Sequence, residues 1–459
     1  MVTQQNQKSL YIKTWGCQMN VYDSNRMVDI LKPLGYSPNE DPETADMIIL
    51  NTCHIREKAT DKVFSELGRL KQYKEAQKAK GKTMLLAVAG CVAQAEGEFI
   101  AERAPYVDMV FGPQTYHELP EMVANAIGAF GKNRVVNTDF PNENKFDYLP
   151  NEQAEIGASA FLSIQEGCDK FCTFCVVPYT RGSEYSRSVE QILDEAKRLI
   201  DGGAKEINVL GQNVNAFHGE DKLGNEWDLG KLLFAIAELP VERIRYTTSH
   251  PRDMHDSLYA AHRDLDKLMP WLHLPIQSGS DKILKIMNRK HTADDYKRII
   301  DRLKKDRPDI EFGSDIIVGF PGETEEDFQA TMDMVDYVKY TSCYSFKYSA
   351  RPGTPAANMM GLVPEKVKSE RLTRLQTRIG EHQHAFNKKC EGLIMPVLID
   401  RESDTPGRLV GHSEFNQSVY ISGNERLYGS TVYVNILEGT PNALRGEIVT
   451  DEIITTKTG

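Results

Sequence analysis

Three features of the sequence predict an α/β chain in three parts. Two long series alternate apolar, strand-like runs with helix-like segments; the pattern breaks near residue 137; and the tail is a set of short β-like runs split by turn residues. Strand–helix alternation implies parallel sheets with crossover helices. Short, evenly broken runs imply a small antiparallel β-barrel. The expected architecture is an N-terminal parallel αβ domain at 8–136, a linker at 137–153, a partial (βα)6 barrel at 154–386 and the small β-barrel at 387–459.

In the first series "SLYIKTWGC" precedes the helix-like "NVYDSNRMVDILKPLG". "DMIILNTC" leads into "EKATDKVFSELGRLKQYKEAQKAKG", and "TMLLAVAGC" into a short acidic helix-like segment. "NTDFPNENKFDYLPNEQAEIGAS" is rich in Asn, Pro and Glu without periodicity, and reads as a linker. The second series starts at "AFLSIQEGC" and continues through "KEINVLGQNV", "RIRYTTSHP", "WLHLPIQSG", "IEFGSDIIVGFPG" and "TSCYSFKYS". Helical stretches separate most of these runs; in one of them Ile192, Ala196 and Leu199 share a face. Six such units would close most of a barrel, with ligands at the carboxyl ends of the strands. A charged helix after residue 363 carries an apolar stripe of Leu372, Leu375, Ile379 and Phe386.

At 459 residues the chain is too long for one hydrophobic core. Its N-terminus, "MVTQQNQKSLYIK", has no signal-like apolar core, and no run approaches the roughly 18 apolar residues that span a bilayer. Eight cysteines without a secretory signal fit a reducing compartment, so a cytoplasmic location is expected, with no membrane partner. A net charge of −11 argues against a protein that coats nucleic acid, though it allows a local basic groove.

Six of the eight cysteines form two trios. Cys168, Cys172 and Cys175 lie in "GCDKFCTFC", too close together to pair off, with no fourth thiol beside them. Thiolates hold iron–sulfur clusters, and three cysteines can hold three corners of a [4Fe–4S] cube while the fourth iron stays open. Zinc with an outside fourth ligand, or three unrelated buried thiols, are the alternatives. Cys17, Cys53 and Cys91 are far apart in sequence, yet each closes a strand-like run of the first series. In a parallel sheet such ends lie side by side, so these thiols can meet over a second centre. Cys343 and Cys390 have no companions and read as structural thiols. Gln212 and Asn213 end the second strand of the later series, and Gln277 ends the fourth; each is a ligand contact or an ordinary strand-end turn. Thr324, with Asp327 three residues on, caps the helix after the fifth.

The C-x3-C-x2-C spacing, with Phe174 before the last cysteine, resembles the signature of the radical S-adenosylmethionine (SAM) enzymes. There SAM chelates the open iron, and its reductive cleavage gives a 5′-deoxyadenosyl radical. That resemblance makes Phe174, Gln212, Asn213 and Gln277 candidate SAM or substrate contacts. The whole chain resembles the methylthiotransferase family, which joins an N-terminal domain with three dispersed cysteines to a radical-SAM domain and a C-terminal TRAM domain. The stretches that carry the likeness are "TWGCQMNVYDS", "NTCHIREKATDKVFSELG", "AGCVAQAEG" and "GCDKFCTFCVVPYTRG". They are most similar to the branch that acts on N6-(dimethylallyl)adenosine in tRNA. The branches acting on a ribosomal protein and on threonylcarbamoyl-adenosine differ around Gln18-Met19-Asn20 and within the radical-SAM loop.

The resemblance implies two [4Fe–4S] clusters, on Cys168/Cys172/Cys175 and on Cys17/Cys53/Cys91, with SAM as cofactor. The first would start radical chemistry and the second would supply sulfur, so no further catalytic side chain is demanded. Implied partners are the anticodon stem-loop of a tRNA, a reducing electron donor and an unidentified sulfur donor, with the protein acting as a monomer. Alternatives are a methylthiotransferase acting on a ribosomal protein, and an RNA-binding protein whose metal sites are structural. On the RNA side, Arg371, Arg374 and Arg378 fall within roughly 60° on one helix face and could follow phosphates, or form an ordinary solvated face. Residues 388–459 carry seven Lys/Arg against ten Asp/Glu, net −3, so any RNA contact there must come from one patch, such as Arg401, Arg408 and Arg426.

Overall fold

The computed structural model describes residues 7–54, 59–129, 134–141, 143–152, 156–403 and 405–449. The chain divides into two compact units. One comprises Met1–Glu155, Glu166–Asp169 and Cys175–Tyr185; the other comprises Ile156–Gln165, Lys170–Phe174 and Ser186–Gly459.

In the first unit β1 (Lys8–Thr14), α1 (Gln18–Leu31), β2 (Tyr36–Pro38), β3 (Met47–Thr52) and α2 (Ala59–Ala79) follow one another. Next come β4 (Leu85–Gly90), α3 (Cys91–Arg103), β5 (Met109–Phe111), α4 (Leu119–Ala126) and β6 (Val135–Asn137). The six strands make one parallel sheet in the order β2-β1-β3-β4-β5-β6. β3 and β4 are buried at every position because helices cover both faces. Met47 and Ile49 pack with Met27 and Ile30 of α1; Ile48 and Leu50 pack with Val63 and Leu67 of α2. The stretch expected as a linker is not loose throughout: Lys145 and Phe146 are buried, which the polar composition around them hides.

Further along the chain lie β7 (Ser159–Ser163), β8 (Gln165–Glu166), α5 (Val177–Thr180), β9 (Tyr185–Ser186), α6 (Val189–Asp201) and β10 (Glu206–Leu210). A hairpin of β11 (His218–Glu220) and β12 (Glu226–Asp228) precedes α7 (Leu229–Ala237), β13 (Arg243–Tyr246) and α8 (Asp256–Asp264). The series ends with β14 (Trp271–His273), α9 (Asp281–Ile286), α10 (Ala293–Asp306), β15 (Glu311–Val318), α11 (Glu325–Val338), β16 (Ser342–Lys347) and α12 (Glu365–Lys389).

The six barrel strands form two parallel sheets, β13-β10-β7 and β14-β15-β16, joined by a single bridge from Ile244 to Leu268. Pro270, which has no N–H for a ladder, stands just ahead of β14, where the two sheets meet. Outer strand positions such as Ile207, Ile244, Phe312 and Ile316 share a core with Ile192, Ala196 and Leu199 of α6. α11 starts in the expected capping box of Thr324 and Asp327. Leu375 and Ile379 of α12 are buried, with Leu372 and Phe386 packed at the edges.

β17 (Ile394–Glu402), β18 (Arg408–Ser413), β19 (Ser418–Ser422), β20 (Thr431–Gly439) and β21 (Leu444–Ile448) close into a barrel in the order β17-β18-β19-β21-β20. One ladder, β19 with β21, is parallel. A closed ring of five strands cannot alternate direction all the way round, so the antiparallel expectation must fail at one pair. No helix among the described residues is long and apolar enough to cross a membrane.

Charge fixes this small barrel to the strands β10 and β13. Arg245 donates to Glu206 Oε2 at 2.8 Å and to the carbonyls of Ser413 (2.7 Å) and Glu414 (2.9 Å). Arg243 donates to the carbonyls of His412 (3.0 Å) and Pro396 (2.9 Å). His412 has a carboxylate on each ring nitrogen, Asp400 at Nδ1 and Glu206 at Nε2, both at 2.9 Å. Two acceptors call for two donors, which only the imidazolium provides. Burial works against that charge, but Asp400 and Glu206 outweigh it and raise the His412 pKa. This stabilisation is complete below the unfolded value of about 6.5 and is lost as pH rises through the folded value. His412→Gln is therefore expected to cost about 1.5–3 kcal/mol at pH 6 and progressively less toward pH 9; urea unfolding midpoints of both proteins across that range check it.

Candidate functional site

The parallel sheet of the first unit builds one site. β1, β3 and β4 are neighbours whose carboxyl ends are level: Thr14 pairs with Asn51, and Thr52 with Gly90. Cys17 follows β1 as the N-cap of α1, Cys53 follows β3 directly, and Cys91 opens α3. Two glycines let these ends close up. Gly16 has φ +123°, and a Cβ there would lie 2.1 Å from Cys53 Cβ; at Gly90, φ +87°, a Cβ would lie 2.6 Å from the Thr52 carbonyl. That explains why two of the three cysteines read "GC".

Polar side chains hold the strand ends in place. Asn51 Nδ2 donates to the Asn20 carbonyl (2.8 Å) and to Ser24 Oγ (2.9 Å), Asn20 Nδ2 to the Trp15 carbonyl (2.9 Å), and Thr52 Oγ1 to the Ala89 carbonyl (3.1 Å). The thiols feel one another. A hydrogen bond with Cys53, aided by the charge of Arg181, brings the Cys17 thiol down to about 6 against the effect of burial. Burial pushes the Cys91 thiol up, while Arg181 pulls it back. An all-sulfur donor set with one thiol already near its thiolate form fits an iron–sulfur cluster. Among the described residues no three His, Cys, Asp or Glu side chains are close enough to share one metal ion, so the fit rests on donor type and strand placement.

Asp23, Glu166, Lys145 and Arg181 make a buried ionic group in the same unit, at exposures of 0–3%. Arg181 pairs with Asp23 (2.6 Å) and Glu166 (2.5 Å), and Lys145 with Glu166 (2.7 Å). Burial would raise the Glu166 carboxyl, but Lys145 and Arg181 hold it below its ordinary range. Sequence reasoning missed all four. The available signal was a charged residue, Asp23, on the buried side of a helix that also hides Tyr22 and Met27.

The second unit holds Cys172 among residues from the carboxyl ends of its strands. Arg289 donates to Cys172 Sγ (3.5 Å) and to the Pro275 carbonyl (2.6 Å). The segment around Cys172 is fastened by Asn288 to the carbonyls of Lys170 and Phe171, and by Thr173 to those of Ile286 and Met287. Lys170 pairs with Asp253 (2.9 Å), which also accepts from Asn213 Nδ2 (2.9 Å). His250 sits among Arg289, His291, Lys170 and Arg252; burial, then those cations, drive its pKa far down and keep it neutral. Burial and Arg289 likewise lower His291 to about 4. Phe171, Thr248, Gln277 and Asn288 all have positive φ here, a concentration of backbone strain of the kind found at functional sites.

Of the residues predicted from sequence, Asn213 is buried in this group and Gln277 takes a φ of +73° just after β14. Phe174 packs edge-on against Phe320, with ring centroids 6.4 Å apart, and Gln212 lies in the loop after β10. Arg371 is turned inward onto Glu323 and is only 5% exposed. It belongs to the buried side of α12 between Lys368 and Leu375, so a helical-wheel angle alone misplaced it. Arg374 and Arg378 are part-exposed and pair with Glu325 and with Asp336 and Glu381. Cys390 lies in the small-barrel core and Cys343 is half-buried on β16. Arg289, His250, Asp253 and Lys170 were not foreseen, because nothing in their local sequence sets them apart.

Comparison with known proteins agrees with the fold. Residues 162–335 match the model of the radical SAM superfamily, residues 9–112 that of the uncharacterized protein family UPF0004, and residues 388–449 that of the TRAM domain. The radical S-adenosylmethionine methyltransferase TsrM from Kitasatospora setae, solved with cobalamin and a [4Fe-4S] cluster, has a similar fold: TM-score 0.56, 13% identity, 88% of this chain and 77% of that one. The cobalamin-dependent S-adenosylmethionine radical enzyme OxsB is also similar, with TM-score 0.53 and 12% identity over 83% of this chain; the match spans 58% of its own length. At these identities the likeness is one of fold. The central part of the chain is a radical SAM domain.

The Cys17 environment carries a direct consequence. In reduced, metal-free protein, alkylation of Cys17 should reach half its limiting rate near pH 6. Burial raises the Cys390 thiol, so its alkylation should still accelerate above about pH 8.5. Iodoacetamide labelling over a pH series, read by peptide mass spectrometry, checks both.

Proposed function

We propose that this chain has the activity of a tRNA-2-methylthio-N6-dimethylallyladenosine synthase, placing a methylthio group on C2 of the modified adenine beside the anticodon, at position 37. The observation that carries the reading is the placement of Cys17, Cys53 and Cys91 just after three level strand ends, in a chain that also has a radical SAM domain. In this reading Cys168, Cys172 and Cys175 hold one [4Fe–4S] cluster and Cys17, Cys53 and Cys91 hold another. With SAM bound, the first supplies the electron that cleaves the sulfonium, and the second supplies the sulfur.

The chain's own residues do the holding and sorting. Arg289, Lys170 and Arg252 surround neutral His250 with positive charge, suited to an anionic group such as the carboxylate of SAM. Asp253 is positioned by Lys170 and Asn213 as an acceptor, with an ammonium group as its matching ligand. Tyr344 and Phe346 are 63% and 44% exposed, and by strand pairing they share a sheet face with Asp315 and Ile317, opposite the helix-packed Phe312 and Ile316. Paired aromatics of this kind suit an unstacked base, and RNA is read mostly through such splayed bases. The TRAM domain supports an RNA partner, as do Arg374 and Arg378, whose solvent-screened ion pairs can be exchanged for phosphate.

The test is anaerobic reconstitution followed by incubation with SAM, a reductant and tRNA bearing N6-(dimethylallyl)adenosine. Roughly eight irons per chain and a methylthiolated nucleoside by mass spectrometry are expected. Cys172→Ala should abolish 5′-deoxyadenosine formation. Cys53→Ala should keep it measurable while stopping sulfur insertion. Equal loss of both activities in the two variants would sink the division of labour, and modification of a ribosomal protein in place of tRNA would reassign the substrate.

A further inference from the structure

The buried ionic group of the first unit is more than a brace. Arg181, six positions after Cys175 in sequence, is 3% exposed, and its guanidinium serves several partners at once. Nη1 meets Glu166 Oε1 at 2.5 Å, and Nη2 meets Asp23 Oδ2 at 2.6 Å and Asn20 Oδ1 at 3.1 Å. The same Asn20 Oδ1 lies 3.8 Å from Cys17 Sγ. The charge of the guanidinium also acts on the Cys91 thiol, lowering it against the effect of burial.

A strut between the two carboxylates would not need this residue. Lys145 already reaches Glu166 at 2.7 Å and Asp23 at 3.8 Å, and is itself anchored on the Pro113 carbonyl at 2.9 Å. What Arg181 adds is a fixed positive charge on the sulfur side of the group. A guanidinium suits that place because it keeps its proton when desolvated and its planar fork can serve several acceptors.

We infer that Arg181 is the positioning residue of the Cys17–Cys53–Cys91 centre: Asp23, Glu166 and Asn20 hold its guanidinium so that its charge falls on the sulfur ligands and stabilises negative charge there. The inference rests on the two-cluster reading above and adds to it the group that sets how readily the sulfur-supplying centre accepts an electron or an anionic sulfur ligand. Because both carboxylates touch the same guanidinium, they temper that charge, and the field at the thiols is a balance of named residues.

The balance gives a test with two signs. In reconstituted full-length protein, the reduction potential of each centre is followed by electron paramagnetic resonance during a reductive titration; the signal that is absent from a Cys172→Ala background belongs to the centre on Cys172, which tells the two apart. Arg181→Gln is expected to move the Cys17–Cys53–Cys91 centre to a more negative potential, Glu166→Gln to a more positive one, and Arg181→Lys to leave it near the wild-type value. Structural damage cannot shift the two neutral variants in opposite directions. If Arg181→Gln fails to hold the centre, the upward shift in Glu166→Gln still decides. Unmoved potentials, or shifts of one sign in both glutamine variants, overturn the role of Arg181 while leaving the two-cluster function standing. A wild-type protein with only one centre overturns the functional reading first, and this inference with it.

Discussion

The site in the first unit depends on one constraint: parallel strands joined by crossover helices all finish at the same edge. That edge is where the chain must turn into a helix, and where side chains from distant sequence positions become neighbours. Here β1, β3 and β4 finish level, and each is followed by a cysteine within three residues. Antiparallel strands would have sent every second end to the opposite edge. The glycines at 16 and 90 complete the arrangement, because a side chain at either position would strike the neighbouring strand end. The hydrophobic work is done lower down, by the buried runs of β3 and β4, so the thiol end of the sheet can be polar without weakening the core.

This is also why so much was legible before any coordinates. Three cysteines closing three strand-like runs is a pattern of position, and in a parallel sheet position along the strand becomes position in space. The capping box at Thr324 and the buried stripe of α6 were legible for the same reason, since each depends on spacing within one element. What failed to show was whatever depends on contacts between elements. Arg371 illustrates the limit: its angle relative to Arg374 and Arg378 suggested a shared exposed face, yet it lies on the buried side of α12, paired with Glu323 from the loop before α11. The break between β13 and β14 and the one parallel ladder of the small barrel follow from pairing, which local sequence does not encode.

Net charge was an incomplete guide for a related reason. The chain carries −11 overall, and the small barrel is itself acidic. Yet the positive groups closest to the cysteines are buried and paired, and so are invisible to a surface count. Arg243 and Arg245 spend their charge on fixing the small barrel to β10 and β13. Buried ion pairs of this sort add little net stability compared with apolar packing, but breaking one side of a pair is costly, so they resist rearrangement. They are suited to holding a geometry.

The same reasoning explains why arginine and not lysine stands beside the cysteines in both units. Arg181 and Arg289 are 3% and 5% exposed; Arg289 donates to Cys172 Sγ, the charge of Arg181 acts on the Cys17 and Cys91 thiols, and each is anchored elsewhere: Arg181 on Asp23 and Glu166, Arg289 on the Pro275 carbonyl. A lysine ammonium paired with the same carboxylates would keep the charge, but as a single point without the fork that fixes its direction. A guanidinium stays charged, and its rigid fork fixes the direction of that charge once the anchors are set. A thiolate needs its negative charge balanced at a definite place, and a buried, anchored guanidinium is a side chain that can do so without giving up a proton.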